Sequence, residues 1–145
     1  MADHWLTYVK YSYGIILDAE AQLSMNLEHN TEAYMVHLFA RYIDKPTINT
    51  LPVCIRIMEG MNLPKYQRKN IMTAVAEECL LINGLDLSRN RWPTSTYYAD
   101  MGRMAFNNVA YTEDPADMFY ITLANNFTLL SNVLNKCKVP QRNFN

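Results

Sequence analysis

The chain has 145 residues, half of them hydrophobic, and its 13 basic and 14 acidic residues give a net charge of −1. This length fits one domain, so we predict a single helical domain over residues 1–145 with ample apolar material for a core. The balanced charge provides no global field that would draw the chain onto nucleic acid or an anionic membrane.

The cysteines and the N-terminal residues indicate the cellular compartment and whether a metal or cofactor is expected. Cys54, Cys79 and Cys137 are an odd number of cysteines without a CxxC spacing, so we predict neither a metal site nor a cofactor. The sequence MADHWLTYVKYS has no basic region followed by an apolar run, and no run of about 18 apolar residues occurs. We therefore expect a reduced, cytoplasmic protein without a signal peptide or a spanning helix.

Glycine and proline positions divide the chain into five to six helices, and the near absence of strand-type alternation predicts an all-α bundle. The predicted helices cover about Asp3 to Leu27, Glu28 to Pro46, Leu51 to Met61, Pro64 to Gly84, Ser95 to Tyr111 and Asp114 to Lys138. Within the first of these, the stretch YVKYSYGI also fits a strand.

The second predicted helix has two histidines, His29 and His37, on the face opposite its apolar stripe, together with Ala33 and Ala40. The histidines are two turns apart, roughly 12 Å along the axis, so one metal ion cannot bridge them. His29 and Glu32 are spaced to share a metal, but no second pair completes such a site. Either both histidines face solvent, or another helix packs over Ala33 and Ala40 and forms a site with this face, to which His29 contributes.

The fourth predicted helix places a carboxylate inside its apolar stripe. The stripe consists of Ile71, Val75, Cys79 and Ile82. Glu78 projects into this stripe, whereas its neighbour Glu77 is predicted to point away. An ionised carboxylate is costly to bury without a partner, and Arg41, Arg56, Arg103 or a tyrosine hydroxyl are candidate partners. Glu78 is therefore either part of a buried ion pair or a functional carboxylate that lines a pocket.

The fifth predicted helix combines tyrosine, aspartate and arginine. Asp100 and Arg103 are spaced as an i, i+3 pair, and Gly102 permits the close approach of another helix. This is either an ordinary surface pair, or Tyr98, Asp100 and Arg103 contact a ligand or partner.

Two basic groups flank the fourth predicted helix. They comprise Lys65, Arg68 and Lys69 at its start, and Arg89, Arg91 and Trp92 in the loop after it. Basic and aromatic side chains of this kind can hold phosphates and stack on bases, but a solvated loop is the simpler explanation and nucleic acid is not the expected partner.

The last predicted helix has no charged residue between Met118 and Asn135. Its polar face contains Ile121, Asn125, Thr128, Ser131, Asn132 and Asn135. Because charged residues are depleted at interface centres, this face is predicted to be covered by a second copy or a protein partner. A neutral surface, or a central position in the bundle, is the alternative.

Three segments, LEHNTEAYMVHLFARYIDKP, AEECLLINGLDL and YYADMGRMAF, together resemble a set of small, uncharacterised bacterial proteins. Those proteins share an acidic helix with histidine, a CLLI-like turn and a tyrosine-rich Asp-x-Gly-Arg segment. The resemblance implies a cytoplasmic bacterial helical domain and no particular activity.

Three functional hypotheses follow. The first is a non-enzymatic interaction or adaptor protein that self-associates, because the last helix lacks charge and the chain has ten tyrosines and nine methionines. The second is a small-molecule-binding protein or enzyme with a pocket around Glu78, near Tyr98, Asp100, Arg103 or His29. The third is a nucleic-acid-associated regulator, which would bind in a salt-sensitive manner. A cavity lined by Glu78 favours the second hypothesis over the first.

Overall fold

The architecture is that of a computed structural model, which describes residues 2–49, 51–88 and 91–138. Within these ranges the chain forms seven helices and no strand, which confirms the all-α class. The helices are α1 (Ala2–Gln22), α2 (His29–Asp44), α3 (Val53–Met61), α4 (Lys65–Gly84), α5 (Ser95–Ala110), α6 (Met118–Asn125) and α7 (Phe127–Lys136). The strand interpretation of the N-terminal segment is wrong, because that segment belongs to α1.

The helix count exceeds the predicted five to six because the last predicted helix is divided at Asn126. The Asn126 N–H bonds to the carbonyls of Thr122 and Ala124, which ends α6. The Asn126 carbonyl then accepts from the Leu130 N–H at 2.9 Å, which begins α7. Asparagine is a poor helix former because its side chain competes for backbone hydrogen bonds, and the chain has Asn125 and Asn126 in succession here.

The chain divides into two compact units, one of Met1–Thr47 with Val133–Asn145 and one of Ile48–Asn132. Helices α1 and α2 pack together in the first unit. Its buried apolar residues include Ile16, Ala19, Met35, Leu38, Phe39, Ala40 and Ile43. The Glu28 carboxylate accepts from the Thr31 N–H at 3.3 Å and thereby caps α2. On the face opposite the apolar stripe of α2, Ala40 is fully buried, whereas Ala33 is exposed.

In the second unit α4 packs against both α3 and α5, and α5 packs against α6. Buried apolar residues include Met72, Val75, Cys79, Leu80, Phe106, Leu123 and Phe127. Since α4 is covered on two sides, its buried surface is wider than one stripe. The prediction that Glu77 points away is therefore wrong: Glu77 is buried, with 8% of its surface exposed.

Gly102 on α5 lies where three helices meet. A Cβ atom added there would stand 2.5 Å from Cζ of Phe127 on α7 and 3.0 Å from Cβ of Cys79 on α4. These distances leave no room for a side chain, so the predicted close approach at Gly102 is confirmed.

Across the described part of the chain, no helix is both long enough and apolar enough to cross a membrane.

Candidate ligand-binding site

A cavity of about 340 Å³ lies within the second unit, between the segment leading into α3, α3 itself, α4 and the start of α5. Its lining comprises Ile48, Asn49, Leu51, Pro52, Val53, Arg56, Glu78, Ile82, Pro93, Tyr97 and Tyr98. The volume falls at the lower end of the range of small-molecule pockets, which begins at about 300 Å³.

The local sequence explains how these elements frame the cavity. Pro52 is the N-cap of α3, where its missing N–H and fixed φ are tolerated, and it turns the chain into the helix beside the cavity. At the start of α5, the Thr94 hydroxyl accepts from the Tyr97 N–H at 3.4 Å. This cap fixes the first turn of α5, from which Tyr97 and Tyr98 project into the lining.

Glu78 and Arg56 form the charged part of the wall. The guanidinium Nη1 of Arg56 and Oε2 of Glu78 are joined in a salt bridge, with 11% and 19% of the two side chains exposed. The backbone N–H of Asn49 donates to Oε1 of Glu78 at 3.0 Å. Among the partners predicted for Glu78 from the sequence, Arg56 is the one that contacts it. The ion pair is also part of the cavity lining, so Glu78 is both paired and at a pocket, while a functional role for it stays a prediction.

Two tyrosines form the aromatic part of the wall. The rings of Tyr97 and Tyr98 meet edge to face, with centroids 5.4 Å apart and an interplanar angle of 79°. Burial raises the pKa of both phenols, with additional contributions from Cys54 near Tyr97 and from Cys79 near Tyr98. Both hydroxyls therefore remain neutral at physiological pH and are available as hydrogen-bonding groups.

The polarity of the lining favours binding of a small, mainly apolar molecule with one polar end. Arg56 and Glu78 are the two charged residues among the described residues that line the cavity. The Glu78 carboxylate already accepts hydrogen bonds from two donors, so it is held in a fixed position before a ligand arrives. Fixed polar groups in an apolar cleft orient a ligand at small entropic cost.

Asp100 and Arg103, which were predicted beside Glu78, do not line this cavity. Arg103 Nη1 donates to Asp100 Oδ1 at 3.4 Å, so the predicted i, i+3 pair is confirmed. Arg103 Nη2 also donates to the Thr128 hydroxyl at 2.6 Å. Asp100 follows Tyr98 by two residues, which turns it about 200° around the helix and away from the cavity. Tyr98 alone of these three accompanies Glu78.

His29 belongs to the first unit and is not part of the cavity either. It is exposed and borders a groove of about 250 Å³ whose lining consists of Val9, Tyr13, His29, Glu32, Ala33, Val36 and His37. His37 stacks on Trp5 with ring centroids 6.1 Å apart. Among the residues that the structure describes, no three His, Cys, Asp or Glu side chains are grouped to hold a metal ion.

The predicted interface face of the last helix is only partly exposed. Asn125, Thr128, Asn132 and Asn135 are exposed, and Ile121 is half-buried. Ser131, however, is buried, and its hydroxyl donates to Oδ1 of Asn83 at 2.6 Å. Its assignment to an interface is therefore wrong, because its hydroxyl satisfies an internal polar group on α4.

The basic residues of the two groups that flank α4 either pair with a carboxylate or lie apart from each other. Lys69 and Lys65 contact the carboxylate of Glu113 at 3.0 and 3.7 Å. Arg68 borders a shallow depression with Met61, Met104, Asn107, Asn108, Tyr111 and Thr112. Arg91 is exposed, as is Trp92, while Arg89 lies outside the described residues.

One surface feature was missed from the sequence. Leu51, Ile55, Met58 and Met61, which we call the α3 stripe, are between 41% and 66% exposed. Ile55, Met58 and Met61 recur every three residues along α3, and Leu51 lies just before the helix, so the sequence itself carries this apolar spacing. These residues face outward beside the cavity, and Leu51 belongs both to the α3 stripe and to the cavity lining.

Comparisons of the chain with models of protein families, with curated proteins and with solved structures found no match. The function is therefore argued from the site itself.

Proposed function

We propose that this chain is a small-molecule-binding protein whose site is the cavity lined by Glu78, Arg56, Tyr97 and Tyr98. The observation that supports this proposal most strongly is the paired carboxylate and guanidinium on the wall of an otherwise mainly apolar cavity. A purely structural ion pair has no need of an adjoining cavity, whereas a recognition site needs a few fixed polar groups within an apolar enclosure.

The proposed role of Glu78 is to bind and orient a ligand. Arg56 and the Asn49 N–H hold its carboxylate from two directions, and both remain in place when a ligand uses the other lone pairs. The tyrosine rings offer flat apolar contact area with little side-chain entropy to lose. Together these groups bind a ring-sized molecule and fix the direction of its polar end.

A fragment screen by native mass spectrometry, run on three proteins in parallel, tests this proposal. Leu51→Trp places a bulky ring at the cavity, and Leu6→Trp is the matched control, because the two leucines are 51% and 52% exposed in different units. We expect fragments that bind the wild type and Leu6→Trp and are lost from Leu51→Trp. Binding that Leu51→Trp leaves intact, or a complete lack of binders, contradicts the proposal.

Self-association is a second candidate function, and the α3 stripe is the observation that favours it. Exposed apolar residues that form a continuous helix face mark protein contact sites, and methionines adapt to the surface they meet. The stripe is a better candidate than the neutral face of α6 and α7, because that face includes the buried Ser131.

Sedimentation velocity separates the two surfaces. Met58→Lys introduces charge into the α3 stripe, and Asn132→Lys does the same on the α6 and α7 face. Asn70→Lys, at an exposed position of α4, is the control. If the wild type is a dimer, dissociation by Met58→Lys alone supports the α3 stripe, whereas dissociation by Asn132→Lys alone supports the other face. A monomeric wild type at all concentrations contradicts self-association.

A further inference from the structure

The charge balance of the cavity restricts what it can bind. Of the described residues that line it, Arg56 contributes one positive charge and Glu78 one negative charge, and the two are joined to each other. The side chains are 11% and 19% exposed, so neither charge is well screened by water. The empty site is thus already neutral, and its two charges are already compensated.

A charged ligand would have to disturb this compensation. An anion would compete with Glu78 for Arg56, and a cation would compete with Arg56 for Glu78. Either exchange leaves one wall charge without its partner in a poorly hydrated site, which is strongly unfavourable. A ligand with net charge that left the pair intact would instead add an uncompensated charge of its own.

A neutral ligand with a donor and an acceptor side by side avoids both penalties. A guanidinium has five N–H donors and a carboxylate about four acceptor positions, and the contacts in the cavity use only part of each. Carboxamides and lactams present a C=O and an N–H on one edge, which matches the adjacent Arg56 and Glu78. The rings of Tyr97 and Tyr98 then contact the flat body of the ligand.

We infer that the cavity selects neutral ring compounds that carry a carboxamide or lactam edge, over carboxylates and amines of the same shape. This inference rests on the proposed function and adds the chemical class of the ligand. The inferred selectivity depends on the ion pair, because the pair determines whether a charged or a neutral ligand binds at the cavity wall without a large free-energy cost.

Three probes of nearly equal shape test the inference: benzamide, benzoate and benzylammonium. Their affinities are measured by ligand-observed NMR titration at neutral pH. We expect benzamide to bind about tenfold or more tightly than either ion. Benzoate or benzylammonium binding as tightly as benzamide overturns the inference and leaves the proposed function standing. If none of the three binds, the inference is overturned, because benzamide carries the carboxamide edge that the inference requires; the fragment screen decides the proposed function separately.

Variants of the pair make the test specific. Glu78→Gln releases Arg56, so the ratio of benzoate affinity to benzamide affinity should rise about tenfold. Arg56→Gln releases Glu78, so the ratio of benzylammonium affinity to benzamide affinity should rise by a similar factor. Asp100→Asn is the control, since it removes a charge outside the cavity and should leave every ratio unchanged. Circular dichroism establishes which variants fold, and the test needs only one folded variant of Glu78→Gln and Arg56→Gln. Unchanged ratios in a folded variant overturn the inference.

Discussion

Arg56 on α3 and Glu78 on α4 are 22 positions apart in the chain, and their side chains form a salt bridge on the wall of the second unit's cavity. This pair joins the two helices and also defines the polar end of the cavity. If the cavity binds a ligand as proposed, stability and ligand selection depend on the same two residues, and a change at either one should affect both properties.

The first prediction concerns the stability that this pair provides. Arg56→Met leaves a largely buried Glu78 carboxylate with the Asn49 N–H as its remaining donor among the described residues, and should lower the free energy of unfolding by about 3 kcal/mol. Glu78→Met should act similarly. The double variant should lose at least about 1 kcal/mol less than the sum of the single variants, because it leaves no unpaired charge. Urea unfolding of all four proteins measures this, and additive losses would show that the pair is not coupled.

The second prediction contrasts two helical glycines. Gly102→Ala should lower the free energy of unfolding by about 2 kcal/mol, because the new methyl group would overlap the Phe127 ring and press on Cys79. Gly14→Ala should raise it by up to about 1 kcal/mol, because an added Cβ meets nothing within 4 Å and alanine is the better helix former. Denaturant unfolding of both variants checks the opposite signs. A neutral or stabilising Gly102→Ala would refute the close packing at this point.

The third prediction concerns thiol reactivity. Burial raises the pKa of both Cys79 and Cys137 to about 12, whereas Cys54 is exposed. Since the thiolate is the reactive species, we expect Cys54 to be alkylated at pH 8 at least about 100-fold faster than the other two. Peptide mass spectrometry after timed exposure to iodoacetamide measures the three rates. In denaturant the rates should become similar, and rapid native labelling of Cys79 would contradict its burial.

The fourth prediction is a pH dependence that originates in the first unit. Glu20 is 2% exposed, and its Oε1 accepts from the Leu27 N–H at 2.6 Å. Its Oε2 receives no donor from the described residues, and burial together with the neighbouring Glu32 raises the pKa of Glu20. Because the pKa is raised in the folded state, the protonated Glu20 carboxyl stabilises the fold relative to the ionised one. This stabilisation is fully present below about pH 4.3 and is lost as the pH rises through the pKa of Glu20 in the folded state.

Glu20→Gln tests this dependence, because glutamine cannot ionise and can donate to Glu32. Its melting temperature should exceed that of the wild type at neutral pH, and the difference should shrink as the pH falls toward 4.3, about the pKa of an unperturbed glutamate. Glu59→Gln, at an exposed position on α3, is the control and should follow the wild type throughout. A difference for Glu20→Gln that stays constant with pH would contradict the account.

The helices were largely predictable because their boundaries are local in origin. Pro64 and Gly84 bracket α4, and Thr94 caps α5, at positions that the sequence indicates directly. The division at Asn126 was not predicted, because the apolar pattern continues across it. Propensity differences of about 0.5 kcal/mol per residue are too small for a confident break to be read from two asparagines.

The site was only partly predictable, because it depends on contacts distant in sequence. The apolar setting of Glu78 indicated that this carboxylate needs a partner, and Arg56 was among the candidates. That the partner is Arg56, and that Asn49 and Tyr97 join it around a cavity, follows from the packing of α3 and α5 on α4. A helical wheel that assumes one buried stripe also predicted wrongly that Glu77 and Ser131 are exposed. Both are buried, because a second neighbouring element covers their faces.

Mapping of backbone amide shifts by ¹H–¹⁵N NMR shows whether the cavity beside Glu78 and Arg56 binds small molecules. The protein is titrated with the fragment that binds best in the native mass spectrometry screen. We expect saturable shifts that cluster at Asn49, Val53, Arg56, Glu78 and Tyr98, which lie around the cavity. A lack of saturable shifts, or shifts confined to the groove beside His29, would contradict it.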